Sequence, residues 1–401
     1  MADPSSKTVL CLASYEKGHA FIRECKRQGC TVLLLTTTAL EHADWPREAI
    51  DEMFYVADLY NRNDVILGVS YMARTRRIDR IVPLDDYDVE MAATLREHLR
   101  TPGMGETTAR YFRDKLAMRV QARDRGILVP DFIPVLNDDA LRGFMARVPP
   151  PWVLKPRSEA SSVGIKKVSA PEDLWPWLEA LGDRQSFYLL ERYIPGEVYH
   201  VDAITSENQI VFAEVHQYRQ PPMTVAHEGG IFMTRTVPRG STDEQTLRVL
   251  NRQIIDVLAF KRGVTHTEFI KSQEDGRFYF LETAARVGGA NIVEMVEAAT
   301  GLNLWAEWAK IEIAQGEWPY QLPPLRRDYA GVIISLAMQE YPDTSAYQES
   351  EIVYRLNKKH HVGFVIASPN LHRIEFLLDH YSQRFYTDFF AKLPPADKPT
   401  S

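Results

Sequence analysis

The chain has 401 residues, of which 45% are hydrophobic and 25% are charged. This composition is typical of globular proteins and excludes a collagenous, fibrous or wholly disordered chain. Its 47 lysines and arginines stand against 54 aspartates and glutamates, so the formal net charge is −7. Such a chain lacks the broad basic field of proteins that bind nucleic acids without sequence preference. We therefore expect two or three globular units and no nucleic-acid partner.

Cysteine content and hydropathy bear on the cellular compartment. Cys11, Cys25 and Cys30 form no Cys-x-x-Cys pair, so neither a disulfide framework nor a cysteine zinc site is indicated. No segment approaches the roughly 20 apolar residues of a membrane span. The apolar run at residues 9–13 is too short for the core of a signal peptide. We expect a cytoplasmic protein with no membrane partner.

Strand and helix patterns alternate over the first hundred residues. Apolar strands are predicted at residues 8–13, 29–36 and 80–84, and amphipathic helices at 21–28 and 89–99. This alternation predicts an α/β domain with a parallel, doubly wound sheet. A helix is then predicted over residues 109–125, where Gly126 and Pro130 end it.

The remaining chain is richer in strand patterns. Strands are predicted at residues 152–156, 165–168, 187–193, 199–205, 210–217, 266–271, 278–283, 329–338, 351–356 and 361–368. Helices are predicted at residues 290–300 and 371–385.

A small-residue loop follows the strand that ends near Lys155. It offers hydroxyl groups and close-approach backbone amides at Ser158, Ser161, Ser162 and Gly164. Converging N–H groups beside a lysine charge are suited to a phosphate chain. An ordinary solvated hairpin loop explains the same residues equally well, and no Walker A motif occurs in the chain.

Two glutamates lie on neighbouring predicted strands. Glu268 and Glu282 flank a turn signal at residues 273–276, so a hairpin would set the two carboxylates side by side. A like-charged pair calls for a cation between them, and Mg²⁺ bridged to nucleotide phosphates is held by such oxygens. The alternative is that one glutamate faces solvent. Arg286 follows Glu282 by four residues and suits a phosphoryl group or a carboxylate, or else pairs with Glu282.

In this order, the segments resemble the ATP-grasp superfamily, and the resemblance covers roughly residues 8–310. Its most specific motifs are Asp-Lys-Leu-Ala-Met at 114–118, Val-Leu-Lys-Pro at 153–156, Leu-Glu-Arg-Tyr-Ile-Pro-Gly-Glu at 190–197, His-Thr-Glu at 266–268, and Leu-Glu-Thr-Ala-Ala-Arg-Val-Gly-Gly at 281–289.

The resemblance implies roles for individual residues. Lys115 and Lys155 would contact the ATP phosphates, under a lid formed by residues 158–164, and Arg286 would act with Lys155 in catalysis. Glu268 and Glu282 would hold Mg²⁺, with Mn²⁺ as an alternative. The adenosine contacts implied are Glu191, Tyr193 and Ile194 for adenine, and Glu197 for ribose, with His200 or Asp202 as substitutes.

The resemblance also implies the architecture. We expect a Rossmann-like domain at residues 1–108 and an ATP-grasp domain at 109–325, with a lid lobe at about 125–190 and a larger lobe at 191–325. A small β-rich α+β subdomain would follow at 326–401. The cofactors would be ATP and Mg²⁺, and the substrates a small-molecule carboxylate and amine; a homodimer is left open.

One position departs from the family pattern. Ala284 stands two residues after Glu282, where many members have a metal-binding asparagine, so the usual three-ligand metal site is in doubt. The Glu-x-Ala-Ala-Arg-x-Gly-Gly form is similar to the branch with L-amino acid ligases and carnosine synthase type enzymes. It implies a ligase that makes an amide through an acyl phosphate, releasing ADP and phosphate. Alternatives are a biotin-carboxylase-like or purine-biosynthesis-type enzyme and a non-catalytic nucleotide-binding module. The segment 216–232 is a candidate substrate loop or an ordinary surface connection.

Overall fold

The computed structural model describes residues 7–159 and 163–391. Within these residues the strands form three sheets: a parallel four-stranded sheet, an antiparallel four-stranded sheet and an antiparallel eight-stranded sheet. No helix in the described part of the chain combines the length and apolar character needed to cross a bilayer.

The first sheet is the predicted parallel one, with strand order β3-β2-β1-β4. Its central strands, β1 and β2, are buried and mainly apolar over most of their length, as expected when helices cover both faces. Strand β3 and helix α2 were not predicted. The elements are β1 Thr8–Ala13, α1 His19–Arg27, β2 Thr31–Thr37, β3 Glu52–Val56, α2 Arg62–Met72, β4 Arg80–Pro83 and α3 Val89–Leu99.

The single helix predicted over residues 109–125 is wrong. The chain instead forms α4 Glu106–Arg110 and α5 Lys115–Asp124, separated by a turn. Asp114 causes the break, because its carboxylate accepts a hydrogen bond from the backbone N–H of Leu116 at 3.0 Å and so caps α5. As a result, Lys115 is the first residue of α5.

The small antiparallel sheet has strand order β5-β8-β6-β7. Two helices pack on it around a core that includes Trp152 and Leu190. The elements are β5 Phe132–Pro134, α6 Asp138–Arg147, β6 Trp152–Pro156, β7 Lys166–Val168, α7 Pro171–Leu181 and β8 Tyr188–Arg192.

The large sheet has strand order β13-β12-β9-β10-β11-β14-β16-β15. Its strands are β9 Gly196–Ser206, β10 Gln209–Tyr218, β11 Phe232–Thr236, β12 Gly263–Ser272, β13 Phe278–Ala284, β14 Tyr329–Leu336, β15 Ile352–Arg355 and β16 His361–Ser368. Its helices are α8 Pro222–Glu228, α9 Thr242–Val257, α10 Ile292–Thr300, α11 Leu304–Ala314 and α12 Leu371–Asp388.

The C-terminal strands are continuous with this large sheet, because β14 pairs directly with β11. Helix α12 packs Leu377, Tyr381 and Phe385 against these C-terminal strands, and together they form a separate hydrophobic cluster. The predicted division into units at residues 1–108, 109–325 and 326–401 stays a prediction. The overall prediction of a parallel N-terminal sheet followed by a two-lobed α+β part and a small β-rich C-terminal part is confirmed.

Alternation along β9 and β12 gives the large sheet two different faces. Tyr199, Val201 and Phe269 point to one face and pack with Leu247 and Ile254 of α9. Their chain neighbours, among them Glu268, point to the opposite face. This second face carries the candidate functional site.

Candidate functional site

A cavity lies between the small sheet and the second face of the large sheet. Polar groups reach it from β6 and β8 on one side and from β12 and β13 on the other. Its lining includes Lys115, Lys155, Glu159, Glu191, Arg192, Tyr193, Ile194, Val198, Pro222, Met223, Glu268, Ile270, Leu281 and Glu282. We call it the nucleotide cavity, since most of the sequence-predicted ATP-binding residues that the structure describes meet there.

Lys155 lies in a buried cluster of three charged groups. Its Nζ atom is 2.5 Å from Oε1 of Glu191, and Nη2 of Arg119 lies 3.1 Å from Oε2 of the same carboxylate. Burial lowers the pKa of Lys155 to about 8, although the charge of Glu191 opposes this effect. For Glu191 burial acts to raise the pKa, but the charges of Lys155 and Arg119 outweigh it and leave the pKa lowered. The Glu191 carboxylate is therefore held by two cations.

Lys115 approaches the cavity from the start of α5. Its Nζ atom donates a hydrogen bond to the carbonyl of Glu159 at 2.6 Å and lies 3.2 Å from Oε2 of Glu282. Burial acts to raise the pKa of Glu282, but the charges of Lys115 and Lys155 outweigh it and hold this pKa well below its ordinary value. Two lysines and an ionised carboxylate thus share one end of the cavity.

Glu268 and Glu282 lie directly opposite each other on β12 and β13. This pairing confirms the hairpin that the sequence predicts. The hydroxyl of Tyr218 donates a hydrogen bond to Oε1 of Glu268 at 2.9 Å, and Nε2 of His266 is 3.5 Å from the same oxygen. Adjacent carboxylate oxygens of this kind are hard ligands suited to Mg²⁺.

Arg286 lies in the segment that follows β13. Its Nη1 atom donates a hydrogen bond to the carbonyl of Val287 at 2.8 Å, and its Nε atom is 3.9 Å from Oδ1 of Asp86. That oxygen is buried and has no hydrogen-bond partner among the described residues, whereas Oδ2 of Asp86 forms an ion pair with Arg113. The loop after β4 therefore brings a carboxylate close to the Arg286 guanidinium.

Comparison with known proteins relates part of this chain to a known domain family. Residues 148–294 match the ATP-grasp domain family. The chain contains an ATP-grasp domain. Its match to an L-arginine-specific L-amino acid ligase of Bacillus subtilis is 23% identical and covers 66% of this chain and 64% of that protein. A D-alanine–D-alanine ligase of a Thermotoga strain is 26% identical over 42% of this chain and 60% of its own length. The chain thus spans less than two thirds of these curated relatives.

Solved structures share this fold over almost the whole chain. The L-amino acid ligase of Bacillus licheniformis superposes with a TM-score of 0.78 at 16% identity, and covers 97% of this chain and all of that one. The N5-carboxyaminoimidazole synthetase of Staphylococcus aureus, solved with ADP, gives 0.69 at 15% identity, with 94% and 97% covered. At these identities the superpositions establish the fold alone.

Arg286 does not line the nucleotide cavity but a second cavity, which we call the Arg286 cavity. It is lined from the N-terminal domain by residues that include Lys17, Gly18 and His19, and from the ATP-grasp domain by residues 286–291 and Glu294. Burial raises the pKa of Glu294. No lysine, arginine or histidine of the described chain forms an ion pair with this carboxylate.

The structure does not bring Glu197 to the nucleotide cavity, contrary to its predicted ribose role. Side chains alternate along β9, so Val198 lines the cavity and Glu197 points the other way, where it accepts a hydrogen bond from Tyr199 at 3.1 Å. The substitutes His200 and Asp202 are on the right face but are wholly buried. The ribose contact proposed for these three residues therefore has no support in the geometry.

The small-residue loop has a mixed outcome. Ser158 turns its carbonyl to Arg113, whereas Glu159 and Val163, together with Ile165 just after the loop, line the cavity among the described residues of this segment. Gly164 has φ +70°, and a Cβ there would lie 2.9 Å from Cγ of Pro156, so a glycine is needed. Ser161 and Ser162 lie outside the described residues, and the predicted lid stays a prediction.

Two further groups were missed from the sequence. Arg119 holds Glu191 although the two residues are 72 positions apart. Its spacing of four from Lys115 places both cations on one face of α5, a signal that the sequence contained. Asp86 belongs to an acidic pair at the end of a strand, but nothing local links it to Arg286.

Proposed function

We propose that the protein is an ATP-dependent carboxylate–amine ligase that forms an amide between small molecules and releases ADP and phosphate. The observation that carries the proposal is the meeting of Lys115, Lys155, Glu268 and Glu282 at one end of a single cavity. A module that only binds a nucleotide has no need of paired carboxylates. Relatives named as amino acid ligases support the same reaction class.

The proposed reaction has two steps. An oxygen of the substrate carboxylate attacks the γ-phosphorus of ATP, and the bond from phosphorus to ADP breaks. The amine then attacks the acyl carbon, the bond to phosphate breaks, and the nitrogen loses a proton. The first step is needed because a carboxylate is a poor electrophile, and its catalysis depends mainly on position and charge neutralisation.

Four charged residues of the cavity have a part in this scheme. Lys115 and Lys155 would bind the phosphate oxygens as point charges. Glu268 and Glu282 fit Mg²⁺ because their oxygens are hard ligands and Glu282 is ionised. When bound, the metal would neutralise phosphate charge. Ala284 offers no ligand atom, so phosphate oxygens or water would complete the metal coordination.

The adenine end is supported by the apolar part of the same cavity. Tyr193 and Ile194 follow β8 and line it together with Val198 and Ile270. Apolar walls with a few polar groups are typical of cofactor pockets. Since Lys155 and Arg119 occupy the Glu191 carboxylate, we expect adenine to be recognised by backbone groups of residues 191–194.

The Arg286 cavity supports an α-amino acid as one substrate. The guanidinium of Arg286 would pair with the carboxylate that is to be activated, or stabilise the charge that develops when phosphate transfers to it. Glu294 would pair with the α-ammonium group, since it is a carboxylate without an ion-pair partner among the described residues. The cavity thus offers a positive charge from Arg286 and a negative charge from Glu294, which together are complementary to a zwitterionic amino acid.

The cellular setting is part of the proposal. Cys11 and Cys25 are buried free thiols, which are common where the environment is reducing. We propose a cytoplasmic enzyme with small-molecule substrates. The alternative of a carboxylase or purine-type enzyme shares the fold, but no residue of the Arg286 cavity specifically favours it.

The direct test is incubation of the purified protein with ATP, Mg²⁺ and a panel of amino acids, singly and in pairs. We expect ADP, phosphate and a product whose mass equals that of two substrates minus water. Arg286→Ala is the matched variant and should lose product formation while it still binds ADP. Nucleotide binding with no condensed product from any carboxylate and amine pair would favour the non-catalytic alternative.

A further inference from the structure

A cluster of three histidines and one aspartate is buried on the second face of the large sheet, below Glu268. Nδ1 of His200 lies 2.7 Å from Oδ2 of Asp202, and Nδ1 of His266 lies 2.9 Å from Oδ1 of the same side chain. His216, on β10, stacks on His200 with ring centroids 4.8 Å apart. We call these four residues the histidine cluster.

His216 lacks a hydrogen-bond partner. It is wholly buried, and neither ring nitrogen bonds to any described group. Leaving a buried polar atom unsatisfied is costly, so such groups usually have a function or a bound partner. Nε2 of His216 lies 3.7 Å from Oδ2 of Asp202. The free nitrogen therefore faces the carboxylate that the other two histidines share.

We propose that the histidine cluster binds a divalent transition-metal ion such as Zn²⁺, at a site separate from the Mg²⁺ site. One ligand atom each from His200, Asp202 and His266 already lie within 4.8 Å of one another. With Nε2 of His216, they form a set of three imidazoles and one carboxylate, which is typical of zinc and related ions. Mg²⁺ prefers oxygen ligands and would remain at the paired glutamates.

The outer nitrogens of the cluster have the partners that metal-binding histidines usually have. Nε2 of His200 is 2.8 Å from Oγ1 of Thr234. Nε2 of His266 is 3.4 Å from the hydroxyl of Tyr218 and 3.5 Å from Glu268. Such outer hydrogen bonds fix the ring orientation of metal ligands. A bound ion would thus also orient His266 toward Glu268.

Gly288 lies between the histidine cluster and the Arg286 cavity. A Cβ atom at this position would lie 3.0 Å from Oδ1 of Asp202, and Gly288 also lines the Arg286 cavity. One glycine therefore separates the buried carboxylate from a cavity that is open to solvent. The proposed site does not depend on the ligase reaction, because none of its ligands lines the nucleotide cavity.

The test uses the 401-residue protein, stripped of metals by a chelator and dialysed. Co²⁺ is added to one equivalent in the presence of saturating Mg²⁺ and ADP, which occupy the nucleotide cavity. We expect the strong visible absorption of cobalt bound by imidazoles, and its loss when Zn²⁺ is added. No visible band under these conditions, or a band that persists when Zn²⁺ is added in excess, would overturn the proposal.

Variants assign the ligands. His216→Ala should weaken Co²⁺ binding by about 100-fold or more, because a ligand should matter at least as much as an outer partner. Thr234→Val, which removes an outer partner, should weaken it by about 10-fold. His372→Ala, at an exposed histidine, is the matched control. Circular dichroism checks folding, and unchanged Co²⁺ binding in folded His216→Ala would contradict the four-ligand site.

Discussion

Replacement of Lys155 by methionine removes an ammonium group but keeps the length of the side chain. The structure predicts two effects, because Lys155 faces the proposed phosphate site and also holds Glu191 at 2.5 Å. Loss of one charge-assisted hydrogen bond should weaken ATP binding at pH 7 by about 1.5 to 3 kcal/mol, which is roughly 10-fold to 150-fold. Stability should fall by less than about 3 kcal/mol, since Arg119 still pairs with Glu191.

The lowered pKa of Lys155 also predicts how protein stability and ATP affinity depend on pH. The pKa of Lys155 is about 8 in the folded protein, against an ordinary value of 10.5. The unfolded chain therefore binds more protons between these values, and this lysine makes stability rise with pH across that window. Below pH 8, keeping the buried lysine charged costs up to about 3 kcal/mol. Bound phosphate should raise the pKa again, so wild-type ATP affinity should fall as pH rises above 8.

The assay is calorimetry with a non-hydrolysable ATP analogue from about pH 7 to about pH 9.5, with thermal unfolding measured in parallel. The affinity of the wild-type protein for the ATP analogue should approach a tenfold loss per pH unit above pH 8, whereas the affinity of Lys155→Met should lack this pH dependence. Lys26→Met, which removes an exposed ion pair with Asp51, is the control and should change neither quantity by more than about 0.5 kcal/mol. An equal pH slope in wild type and Lys155→Met would refute the assignment of Lys155 to the phosphates.

Three further substitutions separate the parts of the site. Lys115→Ala should weaken ATP binding by about 1.5 to 3 kcal/mol; an unchanged dissociation constant by calorimetry would mean that the phosphates lie elsewhere. Glu282→Gln should bind ADP with a modest loss while ligation falls about 100-fold, and wild-type amide formation by mass spectrometry would remove this glutamate from the metal site. Glu294→Gln should raise the KM of the amino acid about tenfold or more with no change in the Kd of ATP, and an unchanged KM would exclude it from the ammonium contact.

Local patterns predicted much of the fold. The strand at residues 152–156 and the helix at 89–99 match the structure residue for residue, because a buried apolar strand and an amphipathic helix each carry their own period. The pairing of Glu268 with Glu282 was also accessible, since a hairpin joins near neighbours through a recognisable turn.

The incorrect or missing predictions concern residues whose positions depend on contacts that are distant in the sequence, or on a strand register that the sequence leaves ambiguous. Strand β9 starts at a glycine next to a turn, so its register could not be read from the sequence. A shift of one residue moves every side chain to the opposite face of the sheet, and this decides whether Glu197 or Val198 points to the cavity. The contacts between Arg119 and Glu191 and between Arg286 and Asp86 join separate elements that no local pattern links. The pairing of β14 with β11 is equally non-local, since it joins strands far apart in the chain.

The most direct test of the proposed ligase reaction follows the oxygen atoms of the activated carboxylate. A carboxylate substrate identified by the amino acid panel is labelled with ¹⁸O in both oxygens and incubated with ATP, Mg²⁺ and the amine. We expect one ¹⁸O in inorganic phosphate for each amide formed, with ADP as the nucleotide product, because the carboxylate oxygen remains on the transferred phosphorus. Recovery of the label in AMP, or phosphate release without ¹⁸O, would contradict attack of the carboxylate on the γ-phosphate.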